Sequence, residues 1–266
     1  MAEKTFRQLI LAYWRKNGRH DLPWRQTADP YAVLVSEMML QQTQVSRVID
    51  KYYEFLRMFP SFRTLARATT ADVLRAWQGL GYNRRALMLH RCAQTVIQNY
   101  NGKLPQEYEA LRRLPGIGPY TAGAVLAFAF NIAHPVIETN IRRVYLHHFF
   151  PKRRNVDDRE LLPVVERTLD RKNPRQWYAA LMDYGARLTT ETKNPNTRSR
   201  HYNKQPAFQG SVRQLRGKVV RLIVKHETLT VGQLQKELSD ARMPAVLAAL
   251  EREGFVVRTR SRLKCA

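Results

Sequence analysis

Between Leu111 and Leu126 the chain reads LRRLPGIGPYTAGAVL. Leu111 and Leu114 close one apolar stretch, Pro115 interrupts it, and a second apolar run begins a few residues later. Only a tight turn fits so short a connection, and Gly116 and Gly118 provide the backbone freedom for it. Pro119 then suits the first turn of a helix, where the N–H that proline lacks would have had no partner. The segment therefore predicts a helix, a Gly-Ile-Gly hairpin and a second helix. The N–H groups of Gly118, Tyr120 and Thr121 fall at that helix start, where they can receive a phosphate.

The same helical habit extends on both sides. Apolar residues recur three and four apart over 6–13, 31–40, 45–59 and 85–100, with turns at Asp29-Pro30, Phe59-Pro60-Ser61, Gln78–Gly81 and Asn101-Gly102. No alternating strand pattern interrupts residues 1–205, so an all-α body is expected there. The polar, basic segment 192–210 reads as loop and linker, with the boundary at 206–211. Beyond it, 212–226, 231–238 and 244–253 read as helices and 255–264 as extended chain, an order that predicts a winged-helix-like basic module over 212–266. One continuous strand at the end would place Arg258, Arg260, Arg262 and Lys264 on one face, either a comb for phosphates or a charged edge left to solvent.

Charge points the partner out. Lys and Arg number 45 against 22 Asp and Glu, a formal charge of +23, and such an excess favours a polyanion through phosphate neutralisation and counterion release. Nucleic acid leads and an acidic membrane surface is second; a membrane span is not expected, because no run of about 18 apolar residues occurs. The N-terminus lacks the apolar core and cleavage site of a signal peptide, so a cytoplasmic, nucleoid-associated monomer is expected. With only Cys92 and Cys265, neither a disulfide framework nor a four-thiolate metal site can be assembled from these residues.

One acid stands out on chemical grounds. Glu37 lies among Val33, Val35, Met38, Met39 and Leu40 on a helix that Asp29-Pro30 would open, so its carboxyl group should be desolvated. Burial disfavours the anion and raises the pKa, which suits a general acid near neutral pH. A structural carboxyl group bonded to a neighbouring helix end is the alternative.

LPGIGPYTAGAV resembles the hairpin of the helix-hairpin-helix (HhH-GPD) DNA glycosylase superfamily. LPWR (22–25), DPY (29–31), SEMMLQQTQV (36–45) and GLGY (79–82) resemble its adenine-excising, MutY-like branch, in the same order. The resemblance covers roughly residues 5–190. It implies two helical lobes, one over about 25–135 and one formed by the N-terminal helix with about 136–205, and an active site in the cleft between them. It implies that Glu37 protonates the flipped base, and that Gln41, Gln42, Thr43 and Tyr82 enter the duplex and face the orphan base. Trp24, Arg25, Leu40, Val45 and Asp183 would shape the base pocket. Gly116, Gly118 and Thr121 would meet the backbone phosphate, with a monovalent cation at the hairpin as a further possibility. Tyr120 stands where bifunctional members such as endonuclease III carry a lysine that attacks the sugar. A phenol forms no imine, so a monofunctional, hydrolytic enzyme is implied.

Two departures accompany the match. Where the family carries an Asp that stabilises the cationic sugar, VIETNIRRV (136–144) places Glu138, followed by Asn140 and by Arg142 and Arg143, which we expect at the DNA. The four cysteines of the family's iron–sulfur cluster are missing, so no cofactor is expected. Residues 187–225 instead hold ten Lys and Arg against the single acid Glu191, and Arg198, Arg200 and Lys204 are expected on phosphates. The implied substrate is duplex DNA with a mispair or lesion, adenine opposite 8-oxoguanine or guanine. A glycosylase for mispaired thymine or uracil or for an oxidised pyrimidine is the alternative enzyme, and a catalytically silent damage-binding protein the alternative class.

Overall fold

A computed structural model describes residues 2–266. The helices begin and end where the local chemistry directs. After α1 (Glu3–Asn17), Asp29 accepts from the backbone of Tyr31 and Ala32 and opens α2 (Pro30–Leu40), as an Asx N-cap followed by proline should. Next come α3 (Val45–Met58), α4 (Phe62–Arg67) and α5 (Thr70–Ala76), the last two capped by Ser61 and Thr69. α6 (Arg84–Tyr100) stops at left-handed Asn101. The hairpin joins α7 (Tyr108–Arg112) to α8 (Pro119–Phe130). There Gly116 takes φ +77°, and a Cβ at this position would stand 2.5 Å from that of Met88. α9 (Thr139–His148), α10 (Asp158–Thr168) and α11 (Pro174–Glu191) complete the body.

The chain divides into two compact units. One holds everything up to Glu37, Pro105–Arg113 and Ile117–Lys204; the other holds Met38–Leu104, Leu114–Gly116 and Gln205–Ala266. In the first, α9 packs along α11, and α1 covers α11 and α10. Phe6 and Ile10 of α1 enter a core with Ile141, Tyr145, Trp177 and Leu181. α9 and α11 approach closely at Gly185, where a Cβ would stand 2.4 Å from the carbonyl oxygen of Asn140.

In the second unit α4 and α5 pack on α6, and the C-terminal segment belongs to the same unit. α12 (Val212–His226) packs on α5 and leads through β1 (Thr228–Thr230) to α13 (Val231–Glu237) and α14 (Met243–Glu253). Arg91 of α6 donates to the carbonyl of Glu253 at 3.1 Å. The chain then folds back on itself as β2 (Val256–Thr259) and β3 (Arg262–Cys265), giving an antiparallel sheet of order β1-β3-β2.

The sheet lies in the C-terminal segment and leaves the body helical, so the chain as a whole is mostly helical. It corrects one expectation, because the tail is a hairpin rather than one strand. The reversal comes at Arg260, which takes φ 56°, so the four basic residues do not share a face. Pairing of Thr259 with Arg262 and of Arg258 with Leu263 leaves Arg262 and Lys264 on the exposed face. Arg258 shares the side of buried Leu263 and is paired with Glu251 at 2.7 Å. Among the described residues no helix is long and apolar enough to cross a membrane.

Gly185→Ala should lower stability by about 2 kcal/mol although alanine is the better helix former, because backbone stands where its methyl group must go. Chemical denaturation checks this; unchanged stability would mean that α9 and α11 separate freely.

Candidate active site

The first unit brings Glu37, Tyr120, Glu138, Asn140, Arg25 and Asp183 into one electrostatic neighbourhood. Glu37 sits near the end of α2 and is 5% exposed. The Tyr120 hydroxyl, from the first turn of α8, donates to its Oε2 at 2.7 Å. Burial pushes the Glu37 carboxyl up to about 7; the Tyr120 bond opposes this, the charge of Glu138 adds to it, and Arg25 opposes it. Glu37 is thus held near the midpoint of its titration at neutral pH. Burial and the neighbouring carboxylates raise the Tyr120 phenol well above its ordinary value, so it stays a neutral donor.

Glu138 is the N-cap of α9. Its Oε1 accepts from the backbone N–H of Asn140 at 2.6 Å and of Ile141 at 2.8 Å, while Oε2 has only a 3.5 Å contact from the Asn140 amide. Burial raises its pKa above the ordinary value, and the two backbone bonds, Arg143 and Arg142 offset only part of that rise. Two carboxyl groups that feel each other favour a state with one proton between them, and Glu37 is the better holder because Glu138 has donors for its anion.

Asp183 on α11 is 3% exposed. Arg25 donates to its two oxygens at 2.5 and 2.9 Å, and Arg19 adds its backbone N–H at 2.9 Å and its Nε at 2.7 Å. Burial works against the anion, but the Arg25 hydrogen bonds and charge, helped by Arg19, hold its pKa below the ordinary value. Its oxygens are therefore taken up in fixing Arg25 rather than free to line a pocket. Trp24, from the short helical turn Pro23–Arg25, is buried in this unit; Leu40 and Val45 belong to the other.

Several residues expected on phosphates have internal partners instead. Arg142 forms a bidentate pair with Asp158 at 2.7 and 2.6 Å. Arg143 is buried and donates to the Asn140 side chain at 2.7 Å and the Gly185 carbonyl at 2.6 Å. Both hold the start of α9 rather than face outward. Arg198 donates to the carbonyls of Pro151 and Leu146. Arg200 and Lys204 are exposed. At the hairpin a Cβ on Gly118 would meet nothing within 4 Å, so the backbone is open to approach there, while the Thr121 side chain is buried.

An iron–sulfur cluster does not fit these residues. Buried Cys92 and half-buried Cys265 are the two thiols, and 192–204 contains none. That segment is tied down by other means. Val156 and Ser199 form a parallel bridge, with the Val156 N–H donating to Arg198 at 3.0 Å and the Arg200 N–H to Val156 at 2.9 Å. The Asn196 amide donates to the Thr139 carbonyl at 3.0 Å. Among the described residues no group of His, Cys, Asp and Glu is placed to hold a metal.

In the second unit the segments carrying Gln41–Thr43 and Tyr82 are joined by Arg85, which sequence reading overlooked. Arg85 is 8% exposed and donates to the carbonyls of Met38, Met39 and Gln41, which end α2, and to those of Leu80 and Gly81. It also donates to the Thr43 hydroxyl at 3.0 Å. Desolvation lowers its pKa to about 10. An arginine in the first turn of the helix after GLGY is the signal that could have found it, since only its fork reaches so many carbonyls.

The arrangement is that of a helix-hairpin-helix protein with a buried acid, a neutral phenol and a capped carboxylate at its site. Residues 35–163 match the HhH-GPD superfamily of base excision DNA repair proteins. An adenine DNA glycosylase of Mycobacterium tuberculosis is 34% identical over 279 residues, covering 94% of this chain and 90% of that one. The chain belongs to this superfamily. Another adenine DNA glycosylase, from Buchnera aphidicola subsp. Baizongia pistaciae, is 35% identical over 199 residues, 73% of this chain, which spans 56% of that relative's length. A thymine/uracil-DNA glycosylase of Pyrobaculum aerophilum is 36% identical over 197 residues, 71% of this chain and 85% of that one. A solved thermostable thymine-DNA glycosylase superposes with TM-score 0.62 at 28% identity, covering 69% of this chain and 86% of that one.

Arg85→Lys should cost about 2–4 kcal/mol, because a single ammonium leaves buried carbonyls without donors while the charge stays desolvated. Urea denaturation reads it. A lysine variant as stable as the parent would show that the fork is dispensable.

Proposed function

We propose that this chain is a monofunctional DNA glycosylase that hydrolyses the N-glycosidic bond of a mispaired base in duplex DNA, with adenine opposite 8-oxoguanine or guanine as substrate. The carrying observation is the buried Glu37 carboxyl group, poised near neutral pH and hydrogen-bonded to a tyrosine. Adenine is a poor leaving group as an anion, so a proton delivered to a ring nitrogen as the C1′–N bond breaks lowers the barrier. Tyr120 donates to Oε2, which leaves Oε1 to carry the acidic proton. The bonding pair stays with the base, and the sugar becomes cationic at C1′. Glu138 supports that cation through Oε2 while its Oε1 is held by the helix start. Water attacks C1′ and loses a proton to solvent, and no covalent sugar adduct forms because no amine stands at position 120.

In this reading Gln41, Gln42, Thr43 and Tyr82 enter the duplex when the base is extruded, the open backbone at Gly118 and the start of α8 take a phosphate, and Trp24 and Arg25 of the first unit contact the base. Residues 212–266, with their helix, strand, two helices and hairpin, act as a winged-helix module that adds phosphate contacts through Arg262 and Lys264. The thymine/uracil glycosylase relative supports a second reading, in which a mispaired pyrimidine leaves. Single-turnover assays on end-labelled duplexes separate the two. Adenine opposite 8-oxoguanine or guanine should yield strand breaks only after alkali, and thymine or uracil opposite guanine should not. Breaks from the pyrimidine duplexes alone would overturn the adenine assignment.

Glu37→Gln should reduce excision by about 10²- to 10⁴-fold with duplex affinity retained, since the amide still accepts from Tyr120 but delivers no acidic proton. In the parent protein the single-turnover rate should fall as pH rises through about 7, because the acid must be protonated. A rate flat from pH 6 to pH 8.5, or a glutamine variant at parent rate, would remove Glu37 from this role.

Glu138→Ala should cost orders of magnitude in rate, and Glu138→Asp should retain part of it, because the charge survives at a displaced position. Equal rates for Glu138→Ala and the parent would mean that no carboxylate is needed there, as Asp183 is held by two arginines and cannot substitute.

A further inference from the structure

Gln42 and Tyr82 take left-handed backbone conformations, φ 55° and 47°. For a tyrosine this is a costly geometry that persists only where the surroundings impose it, and such residues gather at binding sites. The two side chains share a partner from a distant part of the chain. The Gln205 amide donates to the Gln42 side-chain oxygen at 2.9 Å and to the Tyr82 hydroxyl. Arg213, near the start of α12, donates to that same hydroxyl, lies 5.8 Å from the centre of the Tyr82 ring and 6.0 Å from that of Phe208. All five residues belong to the second unit.

The segment that carries Gln205, Phe208 and Arg213 is held in place. Arg213 donates to the Pro206 carbonyl at 2.7 Å, Ser211 caps α12 and donates to the Phe208 carbonyl at 2.6 Å, and Arg242 donates to the Gly210 carbonyl at 2.9 Å. What this scaffold presents is polar, cationic and aromatic at once. Phe208 is 60% and Tyr82 37% exposed, and among the described residues no carboxylate pairs with Arg213. A guanidinium without a carboxylate, flanked by an open aromatic face and two amides, matches the edge and face of a purine. Guanine offers acceptors at O6 and N7, which suit the arginine fork. Oxidation at C8 turns N7 into a donor and adds an acceptor at C8, a pair that the Gln205 side-chain oxygen and the Gln42 amide N–H groups complement.

We propose that Gln205, Phe208 and Arg213 join Gln42 and Tyr82 in reading the purine opposite the extruded base, so that the segment preceding and opening α12 sets opposite-base specificity. This rests on the glycosylase reading above. Phe208 packs against the base, Arg213 takes its acceptors, and Gln205 couples the two to the side chains that enter the duplex.

The test uses the full-length protein and duplexes bearing a tetrahydrofuran abasic analogue opposite 8-oxoguanine, guanine, adenine or cytosine, so that binding needs no excision. The parent should bind tighter opposite the guanines than opposite cytosine. Arg213→Lys keeps the charge but loses the fork, and should cut that ratio about tenfold with an unchanged melting temperature. Gln205→Ala should lower the preference for 8-oxoguanine over guanine. Parent-like ratios in Arg213→Lys and Gln205→Ala, or a parent without any opposite-base preference, would overturn the proposal. A companion excision assay on adenine-containing duplexes separates the two ideas. Absence of excision by the parent fails the adenine assignment, while the binding ratios still decide the role of this segment.

Discussion

Burying a carboxyl group without a full counterion is expensive, and in this protein that expense is concentrated at Glu37. An ionised carboxylate there would face low dielectric on all sides, so the group resolves the conflict by holding its proton to about neutral pH. Much of the first unit can be understood as fixing that compromise. Arg25 is near enough to temper the shift but is bound to Asp183, which prevents it from pairing with Glu37 and turning it into an ordinary anion. Tyr120 supplies one hydrogen bond and no charge. A lysine in its place would bring a positive charge and a different chemistry.

The glutamate at position 138 shows how a longer side chain is accommodated. As the N-cap of α9 it is anchored by backbone N–H groups at the positive end of a helix. Arg143 ties the first turn of that helix, through Asn140, to the Gly185 carbonyl of α11. Position is therefore set by the helix start and its packing rather than by side-chain length alone. The arginines after Asn140 work as scaffolding for a carboxylate, which explains the burial of Arg143 in a chain with so much surplus positive charge.

Where the superfamily's cluster ligands are missing, the chain uses hydrogen bonds. A two-bond parallel bridge, an asparagine on the α9 backbone and an arginine on two carbonyls restrain 194–200. Each tie is weak beside a metal–thiolate bond, but each also gives a partner to a polar group that would otherwise be buried alone. The second unit solves a comparable problem at Arg85, where one guanidinium terminates α2 and the GLGY turn together.

The helical body, the hairpin at Gly116 to Pro119, the cap at Asp29, and the buried setting of Glu37 were legible in the amino-acid sequence. They are local: a 3.6-residue period, a proline after glycine, an acid among apolar neighbours. Two thiols also sufficed to rule out a four-thiolate cluster from these residues. What a charged side chain touches is not local. Arg142, Arg143 and Arg198 looked like phosphate ligands because sequence shows charge but not partners, and the partners lie on other elements. The basic tail looked like one comb because alternation cannot show where a strand turns back. The convergence of Gln205 and Arg213 on Tyr82, more than 120 positions away in the chain, follows from packing alone. Periodicity and turn chemistry are written residue by residue, whereas the burial and pairing of charges are settled only when distant segments compete for the same space.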